Sequence, residues 1–198
     1  DVTLLLLQES GRPVLPTIHS RCQTLNIPVP AVEQAERWLA TKVTEQAEDQ
    51  RPSAEVLAKA LMLSGNAPRL ALEYVNGEFL KLRDEAFESF RQFMKGQVPV
   101  AEAAKSFKAM GLEDALFLFE GWAADLARMA AGGQPTDPEA ADMLGFLAKR
   151  NPAWRAHELL DMIRESRAAG VYNANPELEA SRLLLAWQDL MPKRRRAG

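Results

Sequence analysis

FLKLRDEAFESFRQF, residues 79–93, carries apolar side chains at Phe79, Leu82, Ala86, Phe90 and Phe93. Steps of three and four place them on one face of a helix, whereas a strand would scatter them over both of its faces. The same spacing returns at Leu112, Ala115, Phe119, Trp122 and Leu126. Breaks fall at GQVP (96–99), AAGGQPTDP (130–138) and NANP (173–176), and the last helix, opened by Asn175 and Pro176, carries Leu178, Leu184, Leu185, Trp187 and Met191. Residues 78–192 therefore read as an all-helical domain of four or five helices, with no repeat of fixed period.

Upstream the helical pattern continues in shorter pieces. Val32, Ala35, Trp38, Leu39 and Val43 share a face, with Glu33, Glu36 and Lys42 opposite. After the polar run EQAEDQRP (45–52), Ser53 precedes a helix over EVLAKALML (55–63) that Gly65 stops. Asn66 and Pro68 read as cap and first-turn proline of a third helix running to Val75, and the Asn76-Gly77 step reads as a turn and a hinge. Three short helices of about fifty residues are too small to be stable without neighbours.

The first 27 residues have a different character. VTLLLL (2–7) has the length of a fully buried strand, Gly11-Arg12-Pro13 breaks it, 14–20 reads as a short helix, and 22–27 reads as a second strand ending at Pro28 and Pro30. Strand, short helix, strand is the end of a parallel sheet. VTLLLL has no basic flank ahead of it, so it is not a signal peptide, and it is far too short to span a bilayer. Because the chain opens on Asp1 inside this run, it reads as a fragment whose upstream part has been removed. A strand so apolar on both faces, deprived of its sheet, is expected to be disordered, to pair with another copy or to promote aggregation.

Composition narrows the function. With 47% hydrophobic and 26% charged residues among 198, this is a globular chain, and its single cysteine, Cys22, rules out an internal disulfide. A reducing, cytoplasmic setting is the simpler expectation. The formal net charge is −3, and since Lys193, Arg194, Arg195 and Arg196 supply four positive charges, the body carries −7. An acidic body repels phosphate, so broad electrostatic capture of nucleic acid is not expected. The tail either touches DNA or is a solvated end, the simpler reading at a terminus. No G-x-x-x-x-G-K-[ST] loop is present to cradle a nucleotide, and His19 and His157 lack partners at metal-ligand spacing. Cys22 reads as a small buried hydrophobe, and carboxylate pairs such as Glu113 and Asp114 read as solvated charges. No self-contained active site is expected, and no cofactor bound by this chain itself.

Two arginines stand out. Arg21 follows the short helix at the end of the sheet, the side on which such folds bind ligands. Arg69 lies in the first turn of its helix, where the dipole disfavours a cation and an anionic partner would offset that.

The stretches around them, TIHSRCQ (17–23) after an apolar run and GNAPRLAL (65–72), resemble the clamp-loader branch of the AAA+ ATPases. The resemblance is clear over residues 3–75, moderate over 150–191 and one of character between. It implies a mainly α chain: the remnant of a parallel αβ AAA+ core at 1–27, a three-helix lid at 28–77, an all-α helical collar at 78–192 and a basic tail at 193–198. It implies that Ser20-Arg21-Cys22 is the S-R-C motif that closes the ATPase core, with Arg21 an arginine finger reaching in trans to ATP on a neighbouring subunit and Ser20 and Cys22 supporting it. Arg69 falls at the sensor-2 position. His19 stands where the family carries arginine or lysine. A planar, permanently charged guanidinium suits the charge that gathers on a transferring phosphoryl group, and lysine would fit it less well.

The resemblance thus implies a non-motor clamp-loader subunit. ATP and Mg would lie on the neighbour, the partners would be the gamma/tau and delta subunits, and the sliding clamp and primed DNA would be met through the assembly, with no membrane. Two other readings stay open: an ATP-hydrolysing gamma/tau-type subunit whose phosphate loop lies upstream, and an independent helical interaction module in which Arg21 does nothing. The residues before Asp1 would separate the three.

Overall fold

The computed structural model describes residues 3–8, 14–48, 51–170 and 175–192, and among them it contains ten α-helices and no strand. In chain order these are α1 (Pro16–His19), α2 (Val32–Thr44), α3 (Ala54–Leu63), α4 (Pro68–Asn76), α5 (Phe79–Met94), α6 (Val100–Met110), α7 (Leu112–Ala130), α8 (Ala141–Ala148), α9 (Trp154–Gly170) and α10 (Pro176–Gln188), with a 3-10 turn at Pro138–Ala140 before α8. No helix of the described residues is long and apolar enough to cross a membrane.

The mainly helical expectation holds, and so do several of its local signals. Ser53 Oγ accepts from the Val56 N–H at the start of α3, and Asn175 Oδ1 accepts from the N–H groups of Glu177 and Leu178 at the start of α10. Gly65 ends α3 at a φ of 63°, with its N–H on the Met62 carbonyl and the Asn66 N–H on that of Leu61. That is a Schellman closure. Asn66 is therefore no N-cap. It belongs to the stop of α3 with a φ of 63°, and Ala67 flanks α4 instead.

Two expectations are corrected. The C-terminal stretch holds six α-helices rather than four or five, because Gly111, at φ 91°, separates α6 from α7, and residues 149–153 separate α8 from α9. The strands at 2–7 and 22–27 do not form over their described residues: 3–8 and 22–27 have no ladder, Leu7 is 95% exposed, and Leu4, Leu5, Leu6, Leu25 and Ile27 are also exposed. A strand's backbone groups are satisfied only by a neighbouring strand, and its apolar faces only by a covering layer. Neither is present among the described residues.

The core gathers on the stripe from Phe79. Phe90 stacks on Trp122 of α7 at 4.9 Å and meets Trp187 of α10 edge-on at 5.3 Å. Phe107 of α6 stacks on Phe119 at 4.6 Å. All five rings are buried. One aromatic cluster thus fastens α5, α6, α7 and α10, with α9 packed along α7. Helices α2, α3 and α4 pack on one another around Ala35, Leu39, Ala60, Leu61 and Ala71, and Tyr74 stacks on Phe79 where α4 passes into α5.

A buried charge sits among these apolar residues. Arg83 of α5 is 0% exposed, yet it shares the inner face with Phe79, Ala86 and Phe90. Its guanidinium donates to Asp84 Oδ1 at 2.9 Å and to Asp137 and Glu139, which lie fifty-four and fifty-six residues further along the chain. Trp122 Nε1 donates to Asp137 Oδ2 at 3.4 Å, and Lys59 of α3 bridges Asp84 and Glu139 at 2.8 and 2.9 Å. Burial pushes the Asp84 carboxyl up, but hydrogen bonds from Lys59 and Arg83 outweigh it and hold it below its ordinary value; Glu139 is held low by the same pair. Burial likewise lowers the Lys59 ammonium, and Asp84 and Glu139 more than restore it.

Replacing Phe90 with alanine should cost about 3–5 kcal/mol in urea unfolding, because no neighbour can close around the space at the centre of four helices. A loss below about 1 kcal/mol would mean that the ring is not their common anchor. Asp84 and Glu139 titrate lower when folded than unfolded, so their contribution is complete above the ordinary carboxylate range and is lost as pH falls through their native values. Lys59 is raised, so its contribution is complete below its ordinary value and lost as pH rises past its native one. Melting temperature should therefore drop below about pH 4, and the Asp84→Asn, Glu139→Gln double variant should show a shallower drop. Identical acid limbs for the two proteins would contradict the assignment.

Candidate functional site

Arg21 projects from a turn built by its own backbone. Helix α1 is one turn long, opened by Pro16 at its first position. Beyond it the N–H groups of Ser20, Arg21 and Cys22 donate to the carbonyls of Pro16, Ile18 and His19 at 3.0, 2.9 and 3.4 Å. The Thr17 carbonyl accepts from both Arg21 Nη1, at 2.7 Å, and Ser20 Oγ, at 3.3 Å. Arg21 is exposed, and no carboxylate of the described residues pairs with it. Its guanidinium spends one nitrogen on α1 and leaves the rest of its donor fork facing solvent.

The environment of this turn differs from the sequence expectation. Cys22 is exposed rather than buried, and so is Leu25, so neither side chain pins the turn. The physical reason is the missing sheet: with 22–27 outside any ladder, no layer of the described residues covers those side chains. What holds Arg21 in place is the hydrogen bonding of the turn and of α1.

Arg69 has the anionic partner its position called for, and the partner is local. It is the second residue of α4, after Pro68, and its Nε lies 3.5 Å from Glu73 Oε1 one turn on, with the arginine side chain 87% exposed. The cation that the helix dipole disfavours is thus partly offset within its own helix. No hydrogen bond or ion pair among the described residues joins Arg69 to Arg21, Ser20 or Cys22.

Sequence reasoning missed the polar cluster around Arg83. Its signal was available: Arg83 lies four residues after Phe79 and three before Ala86, so the apolar stripe of α5 passes through a guanidinium. Asp125 interrupts the stripe of α7 in the same way, three residues after Trp122 and buried beside it. Asp125 accepts from the N–H groups of Thr136 and Asp137 and pairs with Arg128, which shapes the loop that delivers Asp137 to Arg83.

No protein-family model matches the chain, and no solved structure matches it. Two curated proteins do, both named DNA polymerase III subunit delta'. The one from Pseudomonas aeruginosa is 25% identical over 196 residues, 96% of this chain and 58% of that protein. The one from Haemophilus influenzae is 36% identical over 99 residues, 50% of this chain and 28% of that protein. The resemblance carried by S-R-C and GNAPRLAL is thus to delta', and it extends along nearly the whole chain, including the stretch between 78 and 150 that matched only in character. The chain spans 58% of the length of its long match.

Because Arg21 and Arg69 are surface groups, Arg21→Ala and Arg69→Ala should each leave unfolding free energy within about 0.5 kcal/mol of the parent chain. Cys22, the sole cysteine, should react fully with a thiol reagent in the folded chain. Reaction delayed until denaturant is added would place that side chain, and the turn with it, in a packed interior.

Proposed function

We propose that this chain is the C-terminal part of a delta'-type clamp-loader subunit. In this reading it lends Arg21 in trans to the ATP site of a neighbouring gamma/tau subunit and contributes its C-terminal helices to the collar of the assembly. The observation that carries the reading is Arg21 itself, on a hydrogen-bonded turn with no carboxylate partner among the described residues, in a chain similar to delta' over 96% of its length. Residues 1–27 would close the AAA+ core, 28–77 form the lid and 78–192 the collar, with 193–198 a basic extension. The delta subunit would complete the partners, the sliding clamp and primed DNA would be reached through the complex, and the setting would be the cytoplasm.

The chemistry asked of this chain is narrow. ATP with its Mg belongs to the neighbour, and a guanidinium supplied from outside stabilises the negative charge that builds on the transferring phosphoryl group. Ser20 and the Thr17 carbonyl keep the finger's base in a fixed geometry. Cys22 follows it at the exposed edge that would meet the rest of the core. Arg69, already paired with Glu73, has the lesser role.

Arg21→Ala in the full-length subunit, assembled with its partners, tests this. The complex should assemble and bind ATP as before, yet hydrolysis at the one site facing this subunit should slow by about a thousandfold. Total turnover should fall only in part, because the other sites keep their own arginines, while clamp loading on primed DNA falls further. Arg69→Ala should do less than Arg21→Ala. Equal ATPase and loading rates for parent and Arg21→Ala complexes of proven composition would overturn the assignment.

A further inference from the structure

Helix α3 meets the C-terminal helices along a seam that closes differently at its two ends. At one end Met62 and Leu63 face Phe117, Leu118, Gly121 and Trp122 of α7 across a cavity of about 270 Å³. This cleft opens to solvent, with Phe117 39% exposed at its edge, so the apolar side chains of α3 and α7 meet there without close interlocking. At the other end, one helical turn back along α3, Lys59 Nζ reaches Asp84 Oδ1 and Oδ2 at 2.8 and 2.9 Å and Glu139 Oε1 at 2.9 Å. Among the described residues Lys59 makes the ion pairs that join helices α2–α4 to helices α5–α10; the other described pairs lie within one group or the other.

The charges around Lys59 make it separable from the cluster it joins. Arg83 is bonded to Asp84, Asp137 and Glu139 by elements of the C-terminal group alone, so this network persists without α3. Lys59 adds a second cation to three carboxylates. Asp84 and Glu139 are about half exposed, so they can turn to water when Lys59 leaves. The lysine contact is therefore directional, partly solvated and reversible, whereas the apolar contact beside it is non-directional and incompletely packed.

We propose that Lys59 is an electrostatic latch that sets the angle of α3, and with it the α2–α4 group, against the C-terminal helices, and whose release widens the gap between α3 and α7. Arg21 and Arg69 both belong to the part of the chain before α5. Arg69 lies on α4, which packs on α3, so the latch bears on its orientation relative to the C-terminal helices. It rests on the seam itself and stands whether or not Arg21 acts in trans on a neighbouring subunit.

The test is a distance measurement across the seam by pulsed electron spin resonance, in the full 198-residue chain with Cys22→Ser and spin labels at positions 55 and 149. The parent should give one narrow distance distribution at low salt. Lys59→Met, with its aliphatic stem kept and its charge removed, should shift and broaden the distribution at unchanged helix content, and Lys59→Arg should restore it. In the parent, salt of about 1 M, which shortens the screening length to about 3 Å, should broaden the distribution while leaving that of Lys59→Met unmoved. Distributions that coincide for parent and Lys59→Met would overturn the latch. Should Lys59→Met fail to fold, an unchanged parent distribution across the salt series would overturn it equally.

Discussion

A guanidinium withdrawn wholly from water has to be met by fixed anions, because desolvating an unpaired charge costs several kcal/mol. Arg83 imposes that requirement on the rest of the molecule. Asp84 is its sequence neighbour, but Asp137 and Glu139 can reach it only if the connection between α7 and α8 folds back over α5. That connection is accordingly shaped. Asp125 accepts from the Thr136 and Asp137 N–H groups, Gly132 turns at a φ of 85°, and a Cβ on Gly133 would lie 2.7 Å from Arg128 Cγ. Gly132 supplies the left-handed turn, and Gly133 lets the loop pass close to Arg128 of α7 on its way to Arg83.

The aromatic cluster and the charge cluster divide the work of holding the fold. Phe90, Phe107, Phe119, Trp122 and Trp187 bury large apolar rings between α5, α6, α7 and α10, a weakly directional contribution. Arg83 adds direction, since its two terminal nitrogens fit one arrangement of loop and helix. Trp122 belongs to both clusters, stacked on Phe90 and bonded through Nε1 to Asp137. A change at either cluster is therefore felt at the other.

The two arginines singled out by sequence end up chemically unlike. Arg69 is partly offset by Glu73 one turn on, on a helix packed against its neighbours. Arg21 is exposed, with a hydrogen bond to the Thr17 carbonyl and no carboxylate partner among the described residues.

Sequence alone determined what depends on near neighbours. The stripes of α2, α5 and α7, the caps Ser53 and Asn175, the prolines opening α4 and α10 and the glycine stop at Gly65 are all set within a few residues, and helices obey such rules because their hydrogen bonds close four residues away. The S-R-C turn was legible for the same reason. Tertiary structure decided what depends on distant partners. The runs 2–7 and 22–27 have strand composition but form no ladder among the described residues, since a ladder needs another strand. Cys22 and Leu25 are exposed for want of a layer above them. Arg83 looked like an ordinary charge until Asp137 and Glu139, more than fifty residues away, were brought to it. A buried ion cluster is a property of elements meeting in space, and local spacing records only one of its members at a time.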